Sequence, residues 1–338
     1  MEKLLFKLTD IFYISEHNDS TKPIIKELSK YAEVTTDRNG NIIGTLGNKD
    51  SEKHIMLDAH IDQIGLLVTN ILDNGFLKVC AAGGIDCRIL PGSLLKIYGE
   101  ETLTGNVSSI PPHLIDTEEN KFLKPNELYI DTGLTKEEAL KIIPLYSYVG
   151  FCSKPTKLLN NKITAPALDD RAGVAALLEC AKILSKEKVD CKVSIVFSVG
   201  EETTALGAKT ASFKISPQEA IAVDVSFGKQ PGISADNKGV LGLGPMIGFS
   251  PTLSKEISCK LIKLAKKNDI PYQYEIMSGK TGTNADSIST TKTGIKTGLV
   301  SIPLRYMHTP VEVVDVLDIK NTAKLLAAYV KKGGTFND

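Results

Sequence analysis

Asp169 and Asp170 stand side by side just before an apolar helical run at residues 174–184, in the stretch Pro166-Ala167-Leu168-Asp169-Asp170-Arg171-Ala172-Gly173. Adjacent carboxylates repel, and burying such a pair without a cation is costly. A fold can leave them wet at a helix N-terminus, where Asp caps free N–H groups and suits the macrodipole. Otherwise it must gather positive charge around them. The demand arises twice, because a second pair, Glu201-Glu202, follows the buried-strand pattern of residues 192–198.

The rest of the chain supplies more strands that end in acids or histidine. Residues 3–33 have helical spacing at Ile24, Ile25, Leu28 and Tyr31, residues 37–41 form a turn pattern, and 42–46 and 55–57 read as strands. The second of these runs into Asp58-Ala59-His60-Ile61-Asp62. Further strands are expected at 220–223, ending in Asp224, and at 298–302, leading to His308; helices are expected at 256–267 and 318–329. Alternation of strands and helices predicts an α/β fold with a mixed, largely parallel sheet flanked by helices. Ligands of such sheets gather beyond the carboxyl ends of the strands.

From about residue 66 to 158 the texture changes to short β-rich pieces (66–69, 76–79, 93–97, 128–130) between Gly, Pro and Asn turns, with one helix at 136–142 behind a Thr135 cap. That pattern predicts an inserted small β-barrel or sandwich. The expected division is a discontinuous catalytic α/β domain, residues 1–66 and 160–338, with residues 67–159 inserted. His113, in a loop of the insert, is read as structural or as part of an interface.

Composition narrows the partners. Forty basic and forty acidic residues cancel, so no global field draws in nucleic acid or anionic lipid. No apolar run is long enough to span a membrane, and charges break up the first ten residues where a signal peptide would be apolar. Six scattered cysteines without metal-type spacing fit a reducing, cytoplasmic setting.

His60, Asp169, Glu201, Glu202, Asp224 and His308 all fall at or just after strand-like runs, delivered by five separate segments. Two histidines with several carboxylates suit zinc, with cobalt or manganese as substitutes. A two-metal arrangement has Asp169 bridging, His60 and Asp224 on one ion, and Glu202 and His308 on the other. Glu201 is then left as general base for the water between the ions. Asp62, two residues after His60, is placed to take the imidazole's second N–H. Asp170 is expected to cap the helix.

The segments 58–65, 167–173, 200–208, 223–226 and 303–312 resemble the signature of the tetrahedral metallo-aminopeptidases, the glutamyl/leucyl/lysyl aminopeptidase family, some members of which carry the label endoglucanase. The likeness continues through 64–75, 83–92, 111–114 and 129–133. It implies a zinc-exopeptidase-like catalytic domain and an inserted dimerisation domain. It implies two divalent metal ions per subunit, most simply Zn2+, on the residues matching His60, Asp169, Glu202, Asp224 and His308. The residue matching Glu201 acts as base, the one matching Asp62 supports the histidine, and the Asp169–Asp170 peptide bond is cis. Peptides are the implied substrates, and dimers building a hollow tetrahedral dodecamer the implied assembly. Two stretches depart from the family without removing a ligand: Ile14-Ser15-Glu16-His17-Asn18 lacks the usual Gly-containing turn, and Asp224-Val225-Ser226-Phe227-Gly228 continues differently.

Three rival readings use the same residues. An endoglucanase would need two carboxylates and a sugar-stacking platform, but the chain has no Trp and only 6% aromatic residues. A metal-dependent deacylase of small non-peptide amides needs the same ions. A non-enzymatic shell-forming protein would not need the full set of ligands and base.

Overall fold

The structure, a computed structural model, describes residues 1–14, 19–111, 124–234 and 238–336; His113 and residues 15–18 of the N-terminal departure lie outside these. In chain order it begins with α1 (Glu2–Thr9), α2 (Lys22–Leu28), β1 (Glu33–Thr36), β2 (Ile42–Gly47) and β3 (His54–His60). Then come β4 (Gly65–Ile71), β5 (Leu77–Ala82), β6 (Leu94–Tyr98), β7 (Thr102–Val107), β8 (Tyr129–Asp131), α3 (Lys136–Ile142) and β9 (Tyr148–Phe151). The chain continues through β10 (Thr156–Lys157), β11 (Lys162–Ala165), α4 (Leu168–Leu184), β12 (Lys192–Ser198), α5 (Leu206–Ile215) and β13 (Glu219–Phe227). It closes with β14 (Met246–Phe249), α6 (Lys255–Lys267), β15 (Gln273–Ile276), α7 (Asn284–Ser289), β16 (Lys296–Arg305), β17 (Glu312–Asp315) and α8 (Val316–Lys331).

Two compact units result: Met1–Asp62 with Pro155–Met307 and Glu312–Asp338, and Gln63–Lys154 with His308–Val311. The smaller is a closed antiparallel barrel in the order β4-β5-β8-β7-β6-β9, filled by Leu66, Val68, Leu77, Val79, Leu95, Ile97, Ile130 and Val149. Its helix α3 starts where Thr135 accepts the Glu138 N–H, and Glu138 accepts the Thr135 N–H in return. Residues 308–311 group with this unit, although the sequence reading assigned them to the catalytic domain.

The larger unit is a mixed sheet, β1-β2-β12-β3-β13-β16-β17-β11-β10, with β14 and β15 branching from β16. Its centre, β12-β3-β13-β16, is parallel, and the wings are antiparallel. The central strands are apolar on both faces because helices cover both. Leu57, Ala59, Ile195, Phe197, Ile221 and Val223 pack in one core with α4 and α8. Met56, Val196, Ala220 and Ala222 pack in a second with Ala208 and Ala211 of α5 and Ala285 and Ile288 of α7. By alternation, Asp58 and His60 share the face toward α5 and α7. Helix α4 is buried nearly all round, which explains its continuous apolar run.

The parallel centre matches the sequence reading, and residues 192–198 and 136–142 form their elements with the expected limits. Differences lie at edges. Residues 3–33 hold two helices. β13 runs past its expected end, so Asp224 sits inside the strand. Short edge strands such as β10 and β15 went unpredicted, since two to four residues carry no readable period.

One polar pin fixes the turn between β12 and α5. Asn41, fully buried, donates its side-chain N–H to the Gly207 carbonyl (3.1 Å) and accepts the Val199 N–H (3.0 Å). A Cβ at position 207 would lie 2.3 Å from Val199 backbone atoms and 2.4 Å from Asn41 Oδ1, so only glycine fits. Gly207→Ala is therefore expected to cost about 1–3 kcal/mol of stability through overpacking, read as a lowered midpoint in denaturant melts.

Candidate metal centre

The carboxyl edge of β3 and β12 is where the site is built. His60 ends β3 opposite Ser198 of β12. Its Nδ1 lies 3.1 Å from the main-chain oxygen of Asp62 and 3.6 Å from the Asp62 carboxylate. The ring N–H therefore goes to the carbonyl, leaving Nε2 as the reactive nitrogen. That nitrogen faces Asp169 Oδ1 at 3.0 Å, Asp224 Oδ1 at 3.8 Å and Glu201 Oε2 at 4.0 Å. Three carboxylates around one ring nitrogen favour a positive charge there, as a second proton or a metal ion.

The sequence reading gave the Asp62 carboxylate to the imidazole, and it lies beside that ring and helps keep it charged, but it has a second task as well. Its two oxygens accept the backbone N–H groups of Glu201 and Glu202, both at 3.1 Å. Asp62 is 1% exposed, so it clamps this acidic turn from inside the protein. Glu201 and Glu202 thereby reach the edge where His60 ends.

Asp169 and Asp170 open α4 with non-helical backbone, joined by a cis peptide bond. The Asp169 N–H donates to Glu312 Oε2 at 3.2 Å, and Glu312, of β17, is buried. Asp170 caps as expected, its Oδ1 accepting the Gly173 N–H at 2.9 Å, while Oδ2 has no hydrogen-bond partner among the described residues. A Cβ at position 173 would fall 2.3–2.5 Å from the Asp170 oxygens. Asp224 Oδ1 accepts the Val225 N–H at 2.8 Å.

Among the described residues, two sets of side chains offer ligand atoms within 4.8 Å of one another: His60, Asp169 and Glu202, and His60, Asp170 and Asp224. The structure thus brings together four of the five expected ligands, and adds Asp170 as a fifth candidate. His308 belongs to the smaller unit, where its Nδ1 lies 2.9 Å from the Gly84 oxygen. That contact selects the tautomer with its lone pair on Nε2.

The electrostatics are those of crowded acids. Burial, reinforced by Asp169, Glu202 and Asp62 and opposed by His60, pushes Glu201 up to about 7. Burial also raises Asp224 and Asp170, helped by their neighbouring carboxylates. For His60, burial works downward, yet Asp169, Asp62, Glu201 and Asp224 hold it well above the usual imidazole range. A divalent cation among these groups would relieve the repulsion and let all the acids ionise, so the donor set fits a metal.

Sequence reasoning missed the supporting residues Glu312, Asn284 and Asp58. Asn284, at the start of α7, donates Nδ2–H to Asp58 Oδ2 at 2.8 Å and to Ser198 Oγ at 2.9 Å. Asp58 carried one usable signal, its position two residues before His60 on the same strand face.

Known proteins match this chain along nearly its whole length. The profile of the M42 glutamyl aminopeptidase family matches residues 40–325. A lysyl aminopeptidase of Pyrococcus furiosus is 34% identical over 319 residues, covering 93% of this chain and 90% of that one. The solved structure of an aminopeptidase from the archaeon Desulfurococcus kamchatkensis superposes with a TM-score of 0.92 at 32% identity, covering 98% of this chain and 95% of the other. The Pyrococcus horikoshii TET1 peptidase, described as able to assemble into a tetrahedron or a large octahedral shell, gives 0.86 at 33% identity, covering 97% and 98%.

The raised acids make a signed prediction for protein stripped with a chelator. Glu201 holds its proton more tightly folded, at about 7, than unfolded, at 4.5. Stability from this group is present below pH 4.5 and lost as pH rises toward about 7. Thermal midpoints of the metal-free protein should fall across that window, and Glu201→Gln should flatten the fall.

Proposed function

Because this chain belongs to the M42 glutamyl aminopeptidase family, we propose that it removes N-terminal residues from peptides by metal-assisted hydrolysis at the centre around His60. His60, Asp169, Glu202 and Asp224 would hold two divalent ions, most simply zinc. His308 enters as the remaining ligand on the sequence resemblance alone. Bound there, the ions would polarise the scissile carbonyl and acidify a water between them.

The residues then have separate tasks. Glu201 takes a proton from the attacking water and passes it to the leaving amine as the C–N bond breaks, a task open to a carboxylate that stands beside the ions without holding one. Asp62 sets where that carboxylate sits by holding the Glu201 and Glu202 amides. The Asp62 carbonyl fixes the His60 ring. A free α-amino group on the substrate suits a site so rich in carboxylates, which favours exopeptidase chemistry. The observation that carries this reading is His60 Nε2 turned toward three carboxylates while Nδ1 is committed to a carbonyl.

Assembly belongs to the same proposal. The barrel serves as a dimerisation domain, and dimers build a tetrahedral dodecamer. The 33% identity to a peptidase described as forming a tetrahedron or octahedral shell supports it. Six free thiols suit a reducing cytoplasm. Among the described residues no helix is long and apolar enough to cross a membrane.

Purified protein should cleave peptides with free N-termini, leave N-acetylated ones intact, lose activity to a chelator and regain it with zinc or cobalt. Cleavage of small acyl amides or of glucans instead would replace the reading with a deacylase or an endoglucanase. Glu201→Gln should cut turnover by roughly 10²–10⁴ with metal content unchanged; retained activity would remove Glu201 as base. Native mass spectrometry should show a twelve-chain particle, and a monomer at working concentration would overturn the assembly.

A further inference from the structure

We infer that Asp58 is a positioning carboxylate for the metal centre, strengthening ion binding through its field without touching an ion, and that Asn284 and Ser198 hold it in place. This rests on the two-ion reading of the site. Asp58 lies two residues before His60 on β3, so both side chains leave the same face of the sheet. It is completely buried, as are Ser198 and, to within 2%, Asn284. Asn284 spends both N–H groups on the pair, at 2.8 Å to Asp58 and 2.9 Å to Ser198.

The arrangement is unusual in its charge. Among the described residues no Lys or Arg pairs with Asp58, and its Oδ1 has no hydrogen-bond partner. A carboxylate in a dry interior ordinarily has a counter-cation. The nearest place this fold can keep one is the centre at the end of the same strand. Charges interact over longer range in a low-dielectric interior than in water, so a carboxylate one pleat below His60 still acts on an ion bound there.

A hydrogen-bond acceptor for Asn284 would be needed equally with and without metal. A field effect is not: Asp58 would stabilise the loaded centre, yet in the stripped protein it stands as a further buried negative charge against Asp62 and Asp170, with His60 the charge that offsets it. The two roles therefore predict different signs for Asp58→Asn, which has nearly the same shape and can still accept from Asn284.

The experiment compares the full-length wild-type protein with Asp58→Asn and with the double variant Asp58→Asn/Asn284→Asp. The double variant moves the carboxylate to the other end of the same hydrogen bond. Each is stripped, titrated with Zn2+ by calorimetry against a competing chelator, and melted with and without the ion. Asp58→Asn should bind zinc about 10-fold more weakly, the lower end for an outer-shell partner, while its metal-free form melts above the wild type. The double variant should recover part of the affinity, and it serves as the test if Asp58→Asn does not fold. Unchanged zinc affinity, or equal melting shifts with and without metal, would make Asp58 merely structural and overturn the inference. Failure of the wild type to bind zinc would instead overturn the two-ion reading on which it stands.

Discussion

Repulsion between buried carboxylates is the constraint on which this structure turns. Asp169, Asp170, Glu201, Glu202 and Asp224 are brought to one sheet edge around a single imidazole nitrogen, with Asp58 and Asp62 buried behind them. In isolation each acid would prefer water. Burial and mutual repulsion raise Glu201, Asp224 and Asp170, while Asp169, Asp62, Glu201 and Asp224 hold His60 above its usual range against its burial. An arrangement this costly persists only where the surrounding fold over-determines it and something positive repays it.

The over-determination is visible in how few freedoms the acids retain. Asp62 ties the Glu201–Glu202 turn by two backbone N–H groups, and Asn41 and Gly207 close that turn against β12. Glu312 holds the Asp169 N–H, and Gly173 leaves room for the Asp170 carboxylate to cap its own helix. None of these contacts relies on a flexible surface side chain. The parallel centre of the sheet supplies the common edge, because strands running the same way deliver their carboxyl ends together.

How legible this was differs residue by residue. His60, Asp62 and the two acid pairs announce themselves because each lies beside an apolar run whose periodicity fixes a strand or helix. Asp224 was found for the same reason, although its strand continues beyond it. The Asp62 carboxylate illustrates the limit: spacing placed it near His60, but its partners, Glu201 and Glu202, come from a segment 139 and 140 residues away. Asn284 carries no local signal at all, since its partner Asp58 is 226 residues distant.

The sequence by itself determined the fold class, the boundaries of its strongest elements and the identity of the residues that carry charge to the site. It could do so because hydrophobic period and charge are local properties, written within a few residues. Only the tertiary structure decided which oxygen of Asp62 serves the imidazole, which acids share the nitrogen of His60, and that a second buried layer of Asp58, Ser198 and Asn284 lies beneath them. Those outcomes depend on distances between strands and helices far apart in the chain, and such distances are set by packing.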